Sequence, residues 1–196
     1  MFYGSTEAGP TLALADVDLA RKPGSVGVAQ PGVEVRLDER GEVCARSPFL
    51  MDGYFDDPVA TAEALVDGWY HTGDLGALDE DGYMSIVGRA RDVIRTGGET
   101  VAPPEVEGVL GSHPDVAEVA VVGVPDTEWG EVVTAVVVVR SGGAPVTVEA
   151  LRAHCEGRLA GFKQPRRVAI VEALPRTAAT GQIQRPLLVE RLQQAP

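Results

Sequence analysis

Trp69-Tyr70-His71-Thr72-Gly73-Asp74-Leu75, followed after a Gly-containing turn by Gly88-Arg89-Ala90-Arg91-Asp92-Val93-Ile94-Arg95, is the stretch that decides how this chain is read. The two segments read as the arms of one hairpin. The first runs to Leu78, Asp79-Glu80-Asp81-Gly82 supplies the turn, and Tyr83 to Val87 returns. Asp74 and Arg89 then stand as an isolated carboxylate and a fixed cation at the two ends of that hairpin, with a charged joint after them. Asp74, between Gly73 and Leu75, is expected at a strand end. Its two acceptor oxygens suit the two donors of a vicinal ribose diol. The plainer alternative is an Asp that caps the following turn.

Upstream of this hairpin the pattern is again β. Val33, Val35 and Leu37 alternate with polar residues, Asp38-Glu39-Arg40-Gly41 turns the chain, and Glu42 to Ala45 returns. Pro58 to Leu65 keeps helical spacing through Thr61, Ala62 and Leu65. Downstream of Arg89 helices and strands alternate. Pro104 suits a helix N1 position, Val106, Val109 and Leu110 follow at helical spacing, and Gly111 stops the helix. Ala117 to Val124 and Val132 to Val139 are valine-rich runs, as in strands covered on one or both faces. Thr147 suits the cap of a helix with Val148, Leu151, Cys155 and Leu159 on one side. Val168 to Val171 reads as a strand, and Arg185-Pro186 opens a last helix.

Composition narrows the function classes. The 196 residues, 44% of them hydrophobic, suit one large or two small domains with real cores. A formal charge of -12, from 17 basic against 29 acidic residues, repels nucleic acid and anionic lipid. The longest apolar run, Val132 to Val139, is far short of the ~20 residues of a spanning helix, so no membrane span and a cytoplasmic location are expected. Cys44 and Cys155 lack a Cys or His at metal-ligand spacing and read as reduced, structural thiols. His71, His113 and His154 share no spacing of a metal site or catalytic dyad and read as structural too.

Three further segments bear chemistry. Tyr3-Gly4-Ser5-Thr6-Glu7 puts an aromatic face, a pliable backbone, two hydroxyls and a carboxylate within five residues. Such groups could stack a purine, bond a phosphate and hold Mg2+ through oxygen, although from these letters alone a Gly-Ser turn with a solvated Glu is the plainer reading. Thr96-Gly97-Gly98-Glu99-Thr100-Val101 reads as a loop whose glycines admit a ligand close to the backbone. Leu174-Pro175-Arg176-Thr177 precedes Gly181-Gln182-Ile183-Gln184-Arg185.

In order and spacing these segments resemble the AMP-forming acyl-CoA synthetase, or adenylate-forming, superfamily over nearly the whole chain. The resemblance implies an α+β fold: residues 1–89 as a β-hairpin-rich end of the large AMP-binding domain, 90–92 as a hinge, and 93–196 as the small, mobile, mixed α/β C-terminal domain. It implies that Tyr3, Gly4 and Thr6 close over adenine and α-phosphate, that Glu7 is the Mg2+ ligand, and that Asp74 and Arg89 hold the ribose and its phosphate edge. Arg91 falls at the pivot, usually Asp or Lys, or else is simply an exposed partner of Asp92 or Glu99. Gly98 falls beside the pantetheine tunnel, while Gly53-Tyr54 and Pro58 match as structural positions.

One position departs from the pattern. Gln182 stands where the family has an essential lysine. Adenylation brings a carboxylate against a phosphate, and a neutral amide supplies no cation there. Loss of such a donor costs ~2.7 to 4 kcal/mol, or about 10²- to 10³-fold in rate. Lys22 and Lys163, the only lysines, are no obvious substitutes, and Arg185 is expected one strand-to-helix turn away. Lys163 is expected to pack its stem under a loop. The family's phosphate loop lies before the Tyr-Gly-Ser-Thr-Glu segment, where this chain begins. The expectation is therefore the C-terminal part of an acid–thiol ligase that uses ATP/AMP, Mg2+ and coenzyme A on a carboxylic acid. A separate chain or upstream domain would carry the phosphate loop. The alternatives are a non-catalytic nucleotide- or partner-binding module, and Gln182 as a stand-in for acetyl-lysine. The acyl group is left open, as is a carrier-protein thiol in place of coenzyme A.

Overall fold

The computed structural model describes residues 1–178 and 180–194, and the chain forms two compact units, Met1–Arg91 and Asp92–Pro196. The fold is α+β.

The first unit is one antiparallel sheet. Its strands are β1 (Phe2–Ser5), β2 (Gly9–Ala13), β3 (Ser25–Ala29), β4 (Glu34–Leu37), β5 (Glu42–Arg46), β6 (Leu65–Val66), β7 (Trp69–Leu78) and β8 (Met84–Arg89). They lie in the order β1-β2-β3-β8-β7-β5-β4, with β6 on β7. Helix α1 (Pro58–Ala64) starts with Pro58 in its first turn and Asp57 as cap, whose side chain accepts from the Ala60 N–H at 2.9 Å. The pairing of β3 with β8 joins the N-terminal hairpin to the β7–β8 hairpin, which brings the start of the chain to Asp74. Leu12, Val43 and Met84 form the small fully buried core, with Tyr3, Val26 and Ile86 among the residues packed on it.

Gly27 makes the β3 junction possible. Its φ is +98°, and a Cβ there would collide with the Ala13 carbonyl on β2. Beside it Ser25 is buried and donates through Oγ to Met84 O at 2.7 Å.

The second unit contains β9 (Ile94–Thr96), β10 (Glu99–Val101), α2 (Pro103–Leu110), β11 (Val116–Asp126), β12 (Gly130–Val139), α3 (Val148–Cys155), β13 (Arg167–Ile170) and α4 (Arg185–Gln194). The sheet order is β10-β9-β12-β11, with β13 parallel to β12. The valine runs are continuous because both faces are covered. Val121, Val133, Ala135 and Val137 face one core, shared with Val106 and Leu110 of α2 and Leu151 and Cys155 of α3. Ala120, Val122, Val124 and Val136 face the other, with Leu188 of α4. Each buried valine contributes about 1.5–3 kcal/mol.

Several expectations are corrected. Residues 96–101 are not a loop. Thr96 pairs with Glu99 across a two-residue turn in which Gly97 and Gly98 have φ of +59° and +84°, the signs of the turn that fits strand twist. Helix α2 begins at Pro103, one residue before the anticipated N1. Thr147 caps α3 as anticipated, accepting from the Ala150 N–H at 3.2 Å, but the helix ends at Cys155. Glu156 leaves helical backbone and Gly157 takes φ +70°, so Leu159 joins the same core from outside the helix. Lys163 forms a surface ion pair with Glu105 at 2.6 Å. No helix among the described residues is long and apolar enough to cross a membrane.

Gly27→Ala is expected to destabilise the first unit by roughly 3 kcal/mol or more, from positive-φ strain plus a backbone collision. Gly24, also at positive φ (+81°) but facing open space, should cost only about 1 kcal/mol on the same change. Urea denaturation of the two variants checks the difference.

Candidate functional site

Asp74 lies inside β7, not at a strand end, and Arg89 is its direct cross-strand partner on β8. The two charges expected at opposite ends of the hairpin are therefore in contact, with Arg89 Nε 2.8 Å from Asp74 Oδ1. The carboxylate is buried, 7% exposed, so it needs partners on both oxygens. Oδ2 accepts from the Tyr3 hydroxyl at 2.6 Å. Arg89 also reaches the Thr72 carbonyl at 3.4 Å, and the Asp74 N–H is held by Thr72 Oγ1 at 3.0 Å.

Around this pair is a cleft of about 160 Å³ lined by Tyr3, Gly4, Ser5, Glu7, Thr72, Asp74 and Arg89, with Tyr70 and Thr11 in its wall. Glycine is required at position 4, where a Cβ would strike the Gly9 carbonyl of the neighbouring strand. Thr6 opens instead onto a shallow groove shared with Phe2, Gly9 and Pro10.

The tyrosines set the electrostatics of the cleft. Burial and the bond to Asp74 raise the Tyr3 phenol well above its usual value. Burial, with the bond to Glu7, pushes Tyr54 up to about 12. Burial also raises Tyr70. All three keep their protons at neutral pH and act as donors to carboxylates. Burial opposes ionisation of Glu7, yet hydrogen bonds from its own N–H, Tyr54, Ser5 and Tyr70 outweigh it and hold the carboxyl below its usual range. The Tyr54 hydroxyl lies 3.0 Å from Glu7 Oε1.

Tyr54 and Tyr70 are members of this cluster that the sequence reading did not assign to it. Tyr54 read as a packing position beside Gly53, and only its 47-residue separation from Glu7 hid the contact. The thiol and imidazole expected to stand apart also meet. Cys44 Sγ is 3.6 Å from His71 Nδ1, across the β5–β7 pairing. His113 and His154 form an edge-to-face pair with centroids 5.1 Å apart.

Gly98 and Gln182 belong to the second unit. A Cβ at Gly98 would meet open space, whereas one at Gly97 would come to 3.0 Å from the Trp129 ring. Gln182 is exposed beside the bridge that pairs Arg176 with Ile183, and its backbone exchanges bonds with Thr177. Arg185 does not substitute as the missing cation. It is turned to Glu107 at 2.7 Å and Asp92 at 3.3 Å. Its Nε is buried with no hydrogen-bond partner among the described residues. Arg91 sits in the 3-10 turn Ala90–Asp92.

Tyr54→Phe is expected to let the Glu7 carboxyl rise toward its ordinary value. A depressed carboxyl pKa contributes stability that is present above the unfolded value and lost as pH falls through the folded one. The variant should thus melt below the wild type at neutral pH, with the gap closing between about pH 5 and 2. Melting temperature against pH checks this.

Residues 105–180 match the family described as the AMP-binding enzyme C-terminal domain. The 2-succinylbenzoate–CoA ligase of Listeria innocua is 42% identical over 190 residues, covering 96% of this chain and 40% of that enzyme. ATP-bound MatB from Rhodopseudomonas palustris superposes with a TM-score of 0.88 at 37% identity, over 98% of this chain and 40% of that one. The o-succinylbenzoate CoA synthetase of Bacillus subtilis, solved with its acyl-adenylate intermediate, gives 0.87 at 34% identity, over 100% and 41%. The chain spans about 40% of the length of the curated relatives it matches. With the motif order read from its sequence and the α+β fold, these matches show that the chain belongs to the AMP-forming acyl-CoA synthetase superfamily and corresponds to its C-terminal portion.

Proposed function

We propose that this protein works as the C-terminal part of an AMP-forming carboxylic acid–CoA ligase, which joins a carboxylate to AMP at the expense of ATP and passes the acyl group to the thiol of coenzyme A. The observation that carries the reading is the buried Asp74 carboxylate, paired with Arg89 and opening onto the same cleft as Tyr3, Gly4 and Glu7. Asp74 would accept from the vicinal ribose hydroxyls, Arg89 would contact the ribose and phosphate edge, and Tyr3 and Gly4 would close over the base. Thr6 would contact the α-phosphate. The Tyr3 hydroxyl uses one acceptor site of Asp74 Oδ2, and each carboxylate oxygen can take a second donor such as a diol hydroxyl.

The Glu7 carboxylate, held ionised beside the Ser5 and Thr6 hydroxyls, is an all-oxygen set of the kind that shares Mg2+ with phosphates. When bound there, the ion would neutralise phosphate charge. The Ala90–Asp92 turn, with Arg91 at its centre, is the proposed pivot of the second unit. Gly98, open on its Cβ side, is the proposed approach for the thiol. Exposed Phe2, Phe49 and Phe55 suit a surface completed by polypeptide that bears the phosphate loop, on the same or a separate chain.

Gln182 favours a second reading, a nucleotide-binding module without adenylation activity, because an exposed amide puts no positive charge near the reacting groups. The two readings separate by experiment. Calorimetric titration with AMP should show binding that Asp74→Ala weakens by about tenfold or more. Equal affinity in both proteins would remove Asp74 from the nucleotide site. Combined with a phosphate-loop chain, the protein should form thioester from supplied acyl-adenylate and coenzyme A. From carboxylate and ATP it should run about 10²- to 10³-fold slower than Gln182→Lys. No thioester from supplied acyl-adenylate would leave the binding module.

A further inference from the structure

The turn that presents Asp74 is held from behind by a side chain outside the cleft. β5 and β7 pair out of step: Glu42 faces Leu75 and Cys44 faces His71, so β7 takes four steps where β5 takes two. The surplus backbone, Thr72 to Asp74, arches out of the ladder, as in a bulge that re-aims a side chain. An arched segment loses ladder partners for its N–H groups, and a partly buried N–H without an acceptor is costly.

Glu42 supplies the missing acceptor. Its Oε1 takes the Gly73 N–H at 2.7 Å, and its Oε2 lies 3.2 Å from His71 Nδ1. One carboxylate thus holds both the residue entering the arch and the residue at its crest. Gly73 sits at φ +71°, a conformation glycine adopts without steric cost and therefore one that outside contacts must specify. Glu42 is fixed in turn, its own N–H donating to Asp38 Oδ1 at 2.8 Å. Asp38, Glu42 and His71 each bring a potential metal-ligand atom within 4.8 Å of the others, but both Glu42 oxygens already have these partners, which makes the cluster an anchor.

We infer that Glu42 is a positioning residue, which sets the direction of the Asp74 carboxylate by binding the arched backbone and so governs recognition of a vicinal diol. The inference rests on the reading of Asp74 as the ribose contact. Because Glu42 does not line the cleft, its effect should be confined to ligands that use Asp74.

The test measures dissociation constants of AMP and 2′,3′-dideoxy-AMP by calorimetry for wild type, Glu42→Ala and Glu42→Gln. Wild type should prefer AMP. Glu42→Ala should weaken AMP by about tenfold while leaving dideoxy-AMP within about twofold. Glu42→Gln keeps an oxygen acceptor for the Gly73 N–H and should recover most of the loss. Glu42→Asp, which withdraws the oxygens by one methylene, replaces the alanine variant should that fail to fold, with the same selective loss expected. Equal weakening of both nucleotides would mean general loosening and overturn the inference, as would a glutamine variant no better than alanine. If wild type binds both nucleotides alike, the ribose assignment of Asp74 itself fails, and that result is distinct from the other two.

Discussion

Burial of the Asp74 carboxylate is the constraint around which the first unit is arranged. A carboxylate taken out of water must be matched by hydrogen-bond donors, since an unpartnered buried charge is costly. Meeting that demand takes partners from both ends of the unit's sequence: Arg89 from the adjacent strand and Tyr3 from a strand 71 residues earlier. The sheet order follows from the same requirement. The pairing of β3 with β8 brings the N-terminal hairpin within reach, and the approach of β3 to β2 depends on Gly27, where a side chain would strike the Ala13 backbone.

Elements with strong local signals were legible in the sequence. The two hairpins centred on residues 38–41 and 79–82, the short helix after Asp57 and the doubly covered valine strands each follow from turn chemistry or from the absence of polar alternation. What was not legible depended on contacts between distant residues. β1, β2 and β3 carry too little alternation to stand out, and they are strands because of the partners they meet. The Gly97-Gly98 pair looked like a loop because permissive residues suit both a ligand-facing loop and a tight hairpin turn. The anchoring of the turn beneath it by Trp129 decided between them. The spacing of Asp74 and Arg89 was visible, but their adjacency was not, since a one-residue change in hairpin register moves a side chain to the other face.

The two units differ in how their order is secured. The second has apolar cores on both sides of its sheet and keeps its charged network of Arg185, Glu107 and Asp92 at the root of α4. That network fixes the start of the helix directly after the segment carrying Gln182, which is also tied back to Arg176 and Thr177 by its backbone and leaves the Gln182 residue exposed. The first unit has a thin core and depends more on polar bonds across its strands. Structural specificity there is concentrated in a few oxygen acceptors.

The placement of Cys44 has a consequence for redox chemistry. Burial raises its thiol pKa, and the nearby Glu42 and Asp38 charges raise it further. Thiolate is the nucleophile that attacks peroxide and disulfides, so a thiol surrounded by carboxylates and closed to solvent reacts slowly with both. The imidazole 3.6 Å away shares its Nδ1 with Glu42. Burial first, and then the carboxylate that binds the turn beneath Asp74, thus favour the protonated, less reactive form of the neighbouring sulfur at the back of the cleft.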